Sequence, residues 1–194
     1  MSLKKFSLLL VAVLSLLCFS PVSANASALN TTEPKHQVSL ANYNRRQVLQ
    51  VYVDPQADQY IKQGVMEAEN DWSQAGVVDF ENTNDEAHAD IIVKQAYLKP
   101  ISKDSVLLGE THTNLNRRDG SRFQYIEING QECENTKGGT SAVQRCYTDT
   151  VVHEFGHALG LQHRHDGKPS VMEAYNDHDF TSNDVEALQK LYNN

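Results

Sequence analysis

The chain has 194 residues, with 17 Lys+Arg against 25 Asp+Glu and a formal net charge of −8. That acidic balance disfavours nucleic acid and anionic membrane surfaces as partners. No stretch after Phe19 is apolar enough to span a bilayer, so no stable membrane association is expected of the mature protein.

The N-terminus reads as a targeting segment. Lys4 and Lys5 form a basic region, Phe6 to Phe19 is apolar, and small residues follow. Residues 1–26 are therefore expected to be a signal peptide, cleaved after Ala24, Ala26 or Ala28, and the protein to be secreted to the extracellular side. The apolar run is too short and wrongly flanked for a transmembrane helix. Leu17 before Cys18 sits where lipoprotein processing wants a small residue, which argues against a lipid anchor. Loss of Lys4 and Lys5 lowers Lys+Arg from 17 to 15 against 25 Asp+Glu, so the formal charge moves from −8 to −10.

Residues 27–46 are polar and read as a flexible arm, too short for a folded pro-domain. Residues 47–194 are expected to form one domain large enough to bury a core without help from a metal. Residues 48–53 alternate as a strand, and Asp54-Pro55 ends it. Residues 56–74 carry Tyr60, Ile61, Val65, Met66, Ala68 and Trp72 at helical spacing, as a core-facing stripe. Short strands follow at 77–80 and 89–93, the latter apolar enough to be central. Pro100, Gly109 and Gly120 interrupt the next stretch. Residues 106–108 could start a strand, and 109–114 alternate weakly, as an edge strand does. Residues 123–129 alternate clearly, and Gly130 is read as ending that strand. A long helix is expected over about 141–159. A final helix should start at a Thr181 or Ser182 cap, with Asp184 in its first turn. The sum is an α/β (α+β) domain. It has a mixed, mostly parallel twisted sheet of four to five strands, an antiparallel edge strand and three helices.

With Cys18 lost in the leader, Cys133 and Cys146 remain. An even pair in an exported chain suggests one disulfide, with free thiols as the alternative. It would close a loop of about 14 residues, worth roughly 3 kcal/mol in the chain-entropy account. Cys146 lies two helical turns before His153, roughly 10.5 Å along the axis, too far to share a metal with it.

Residues 153–163 read His-Glu-Phe-Gly-His-Ala-Leu-Gly-Leu-Gln-His. On a helix, His153 and His157 project from one face a single turn apart. Glu154 can reach a water on the same metal. Gly160 tolerates positive φ and lets the chain turn back, so that His163 becomes a third ligand. Three protein ligands leave a zinc ion one open position, as in catalytic sites. Chance would produce these fixed positions with a probability on the order of 10⁻⁵ to 10⁻⁴ in such a chain, which sets aside a coincidental helix of histidines. His165 is a second candidate for the third ligand, but the spacing after Gly160 favours His163. His88, His112 and His178 read as surface histidines.

The extended motif resembles the metzincin zinc metallopeptidases, and the wording of 153–161 is most similar to the matrixin branch. Ser170-Val171-Met172 resembles that clan's methionine-containing turn. Ala89-Asp90-Ile91-Ile92-Val93 is similar to a matrixin core strand, and residues 184–192 to its closing helix. The likeness covers roughly 47–192 and is specific over 153–172. It implies a metzincin-like catalytic domain with the zinc cleft at the active-site helix. It also implies Met172 as an apolar floor beneath the histidines. Tyr175 stands one residue later than the clan's oxyanion-stabilising tyrosine, so it is carried as either an oxyanion or a pocket residue. Arg164 departs from the serine usual in matrixins. By resemblance, residues 164–175 would line a substrate pocket, where Lys168 and Arg164 could favour acidic or polar groups.

The chemistry implied is hydrolysis of a peptide bond by water on one catalytic zinc, with Glu154 as general base returning the proton to the leaving amine. The expected partner is a protein or peptide substrate, held by an edge strand at 109–114; a monomer is expected. Calcium is compatible with an acidic exported chain, but no D-x-D-x-D-G loop supports it. Two alternatives differ in class. One is an exported, non-catalytic zinc- or peptide-binding module of the same fold, which would have no need of Glu154. The other is a narrow-specificity hydrolase acting on cell-wall peptide or on a single protein in maturation.

Overall fold

The computed structural model of the chain describes residues 47–100, 106–115, 122–174 and 179–193. The expected leader, the arm over 27–46, Tyr175 and His178 lie outside the described residues.

Five strands form one sheet in the order β2-β1-β3-β5-β4. They are β1 (Gln47–Val53), β2 (Val78–Asn82), β3 (Ile91–Ala96), β4 (Gly109–Leu115) and β5 (Arg122–Asn129). β1 pairs in parallel with β2 and β3, and β3 with β5; β4 alone runs antiparallel, at the edge. The mixed sheet with an antiparallel edge strand is thus as the sequence predicts. β1, β3 and β5 carry Val51, Val93, Ile126 and Ile128, all buried, as strands covered by helices should.

Helix α1 (Gln59–Ser73) starts later than the periodicity suggests. Asp54 and Asp58 account for the delay. The Asp54 carboxylate accepts from the Gln56 N–H, holding 54–57 in a turn, and Asp58 caps the helix by accepting from the Tyr60 N–H at 2.8 Å. The face of α1 bearing Ile61, Val65, Ala68 and Trp72 packs into the core against α3 (Thr140–Ala158). The Trp72 indole N–H donates to the Val152 carbonyl at 3.0 Å, so even this large side chain is buried without an orphan donor.

Three departures from the sequence reading have local causes. Gly130 does not simply end a strand. It opens a five-residue helix, α2 (Gly130–Glu134), so the described residues hold a fourth, short helix, followed by α4 (Ser182–Tyr192). Ala89 and Asp90 precede β3 and do not belong to it: a single 3-10 turn at Glu86–His88 runs into them. Residues 106–108 are irregular, although the Leu108 carbonyl already accepts from the Asn129 N–H. The cysteine pair is a disulfide: Cys133 and Cys146 are joined, with Cα atoms 5.4 Å apart, tying α2 to α3. Among the described residues, no helix is long and apolar enough to cross a membrane.

Candidate metal centre

Helix α3 buries much of its circumference, from Tyr147 through Gly156. A helix so enclosed holds its side chains in fixed directions, and His153 and His157 are one turn apart on it. Their rings lie 4.7 Å apart, edge to face. The helix closes at Gly160, where φ is +98°. The Leu161 N–H bonds back to the Gly156 carbonyl at 3.0 Å and the Gly160 N–H to the His157 carbonyl at 2.9 Å. This is a Schellman closure, and a glycine at its turning point avoids the clash any Cβ would meet. The turn aims the chain back along the helix and brings in His163.

His163 Nε2 lies 3.1 Å from His153 Nε2 and 3.1 Å from His157 Nε2. The ligating atoms of all three fall within 4.8 Å of one another. Two nitrogens at about 2.0–2.1 Å from a tetrahedral zinc would be roughly 3.4 Å apart, so the spacing suits that ion. In two of the three the opposite ring nitrogen is already committed. His153 Nδ1 is 2.7 Å from the Val171 carbonyl, and His157 Nδ1 is 2.9 Å from the Leu161 carbonyl. A carbonyl can only accept, so each Nδ1 carries the proton and each Nε2 presents a lone pair to the common point. Burial, with the neighbouring imidazoles His157 and His163 adding to it, lowers the His153 pKa to about 4, and burial lowers that of His163. Neutral imidazoles are the form that binds metal.

The Val171 carbonyl owes its place to a buried support. Asp184 is fully buried and gathers the Ser170 hydroxyl, the Thr181 N–H at 2.8 Å, the Thr181 hydroxyl at 2.9 Å and the Val171 N–H at 3.3 Å. It completes a capping box at the start of α4 and at the same time pins the 170–172 turn. Met172 is buried beneath the helix. A Cβ on Gly156 would stand 2.2 Å from the Met172 sulfur, so the thioether fills the notch this glycine leaves. The Met172 carbonyl accepts from the Arg164 N–H at 2.9 Å, which ties the segment after His163 to the same turn.

Glu154, next to His153 on α3, is buried and faces β4. The Thr111 hydroxyl donates to Glu154 Oε2 at 2.6 Å. Burial, with the Glu110 charge adding a smaller push, raises the Glu154 pKa to about 7, against the lowering effect of the Thr111 hydrogen bond. β4 approaches so closely that a Cβ on Gly109 would lie 2.7 Å from Glu154 Oε1.

Other residues singled out in the sequence fall elsewhere. His165 stays apart, its ring 6.4 Å from that of His163. His88 bonds Asp85, and His112 stands near Glu110 and Glu127. Arg164 is committed within the protein: its guanidinium pairs with both Asp166 carboxylate oxygens, at 2.7 and 2.8 Å, and reaches the Asn183 carbonyl at 3.2 Å. That engagement weighs against its selecting acidic substrate groups. A hollow of about 400 Å³ next to His163 is lined by Arg164, Ser170 and Met172 together with α4 residues Asn183 and Glu186. A second, of about 440 Å³, lies between α1, α3 and the start of α4, beside Val152 and Val171. The parts missed in the sequence are Thr111, Gly109 and the anchoring role of Asp184. Only Asp184 left a signal, in the Thr181-x-x-Asp184 capping pattern.

A histidine pair on a buried helix, a third histidine after a glycine turn and a methionine beneath them define a metzincin-type zinc metallopeptidase domain. The chain belongs to the matrixin family, whose model matches residues 46–193. Among solved structures, archaemetzincin from Methanopyrus kandleri is similar at 13% identity, covering 75% of this chain and 94% of that one with a TM-score of 0.49. High choriolytic enzyme 1, a hatching-enzyme zinc-protease from the medaka Oryzias latipes, is similar at 16% identity. It covers 75% and 89% of the two chains with a TM-score of 0.45. A comparison with curated proteins finds no match.

Proposed function

We propose that this protein is a secreted zinc-dependent endopeptidase in which His153, His157 and His163 hold the metal and Glu154 is the general base. The observation that carries this reading is the convergence of three Nε2 atoms, with a buried glutamate next to His153 on the same helix. Bound at that point, zinc supplies Lewis acidity, drawing the pKa of water toward neutrality and polarising a carbonyl.

The chain's own residues do the rest. Val171 and Leu161 carbonyls fix the ring orientations of His153 and His157. Glu154 takes a proton from the attacking water at a carboxylate oxygen and delivers it to the departing amine nitrogen. The substrate is placed by β4. The Asn129 N–H donates to the Leu108 carbonyl, which makes 108/129 a hydrogen-bonded pair. In an antiparallel ladder such pairs alternate, so the main-chain groups of Gly109, Thr111 and Thr113 face away from β5. Among the described residues no strand pairs with that edge, and an extended peptide can do so. Secretion rests on the sequence of residues 1–26.

The test is digestion of an unfolded protein by the zinc-loaded chain, with and without a chelator. The reading expects internal cleavage that chelation stops and added zinc restores. Absence of cleavage at every zinc loading would favour a non-catalytic binding module. Cleavage confined to cell-wall peptide would point to a narrow hydrolase.

A further inference from the structure

Thr111 sits mid-way along β4, with its main-chain groups on the side away from β5 and its side chain turned toward α3. The hydroxyl lies 2.6 Å from Glu154 Oε2 and 3.1 Å from the Glu154 main-chain oxygen. A hydroxyl has one proton to give. The shorter contact, to a carboxylate oxygen, takes it, and charge-assisted bonds of this kind are the strong ones. Two residues earlier on the same side of the strand, Gly109 leaves room for the other half of the carboxylate. A Cβ there would stand 2.7 Å from Oε1 and 2.8 Å from Cγ of Glu154. The carboxylate is thus seated on the strand, with one oxygen bonded and the other beside a residue that carries no side chain.

We propose that Thr111 is a positioning residue for peptide hydrolysis: its hydroxyl holds Glu154 Oε2, so that Oε1 is the oxygen that exchanges the proton. This rests on the endopeptidase reading above. A glutamate side chain turns about several bonds, and an unheld carboxylate spends part of its time misaligned, which lowers the rate without weakening substrate binding. Thr111 also couples two tasks. A peptide pairing with its main chain is brought into register with the base that its side chain orients. A fastening that merely held β4 to α3 would need no donor aimed at the carboxylate.

The test compares the full zinc-loaded chain with Thr111→Val, which keeps the shape and removes the hydroxyl, and Thr111→Ser, which restores it. Thr111→Ala replaces the valine variant if that variant does not fold. The proposal expects kcat to fall about ten-fold or more in Thr111→Val with KM changed less than about two-fold, and Thr111→Ser to recover most of kcat. A second readout uses metal-free protein with 13C-labelled glutamate carboxyls. The Glu154 resonance, identified by its loss in Glu154→Gln, should move in Thr111→Val and stay in Thr111→Ser. An unchanged kcat overturns the proposal, as does a loss that tracks melting temperature and is not rescued by serine. If the parent chain cleaves nothing, the endopeptidase reading fails. An unmoved carboxyl resonance shows instead that the hydroxyl does not hold Glu154, whatever the activity.

Discussion

Glu154 and the three histidines differ in how their positions are enforced. His153 and His157 are aimed by backbone carbonyls at Val171 and Leu161, which no side-chain substitution removes directly. Glu154 depends on β4, and Gly109 is the tightest point of that contact. Gly109→Ala would force a methyl into the carboxylate and into the Thr150 methyl, 2.8 Å away. The expected outcome is a fall in kcat of at least ten-fold with a stability loss of about 1–3 kcal/mol. Activity assays read beside denaturant melts check it, and a fully active variant would show that β4 does not constrain the base. The ligand residues are visible in the sequence because helical spacing alone brings His153 and His157 together and a single glycine returns His163. Thr111 is not visible, because its partner is 43 residues away and no local periodicity records that contact.

At the scale of elements, the site is a helix held from two sides. β4 supports it at Glu154, and the start of α4 supports it through the 170–172 turn. The second support converges on Asp184, a buried carboxylate with four donors around it. Asp184→Ala would leave the Ser170 hydroxyl without its acceptor and remove the Asp184 half of the capping box, while the Thr181 hydroxyl keeps the Pro169 carbonyl and the Asn183 N–H. It should cost about 2–4 kcal/mol. It should also weaken zinc retention, because the Val171 carbonyl that orients His153 would lose its anchor. Chelator competition together with thermal melts checks both, and a variant that retains zinc as tightly as the parent would show the turn is held by other contacts. The sequence shows α1, α3 and α4 by periodicity and caps. It does not show α2, because Gly130 at the end of β5 looks like a terminator, and what fixes that backbone is distant in sequence: the buried Tyr147 hydroxyl, donating to the Gly130 carbonyl at 3.0 Å, and the Cys133–Cys146 disulfide.

For the molecule as a whole, the core and the metal centre are adjacent but separable. Trp72, Ile61, Val65, Val93, Ile126 and Phe155 are buried without reference to the histidines' free nitrogens, and the Cys133–Cys146 disulfide adds a covalent tie. Removing the metal should therefore leave the far-ultraviolet circular dichroism spectrum unchanged, lower the melting temperature by mass action and stop cleavage. Loss of helical signal on chelation would mean that the metal holds the fold. The sheet order was legible only in part. Apolar runs mark β1, β3 and β5, but the parallel pairing of β1 with both β2 and β3 is a long-range fact that no single strand encodes.

The central claim is that zinc held by His153, His157 and His163 works with Glu154 to hydrolyse peptide bonds. Its most direct test is mass-spectrometric digestion of a random peptide library by the zinc-loaded chain and by Glu154→Gln, each with its bound zinc measured. Internal cleavage by the parent, a rate about 10² to 10⁴-fold lower in Glu154→Gln, and equal zinc content in both is the predicted result. Cleavage by Glu154→Gln at the parent rate, or none by either protein with zinc bound, would contradict it.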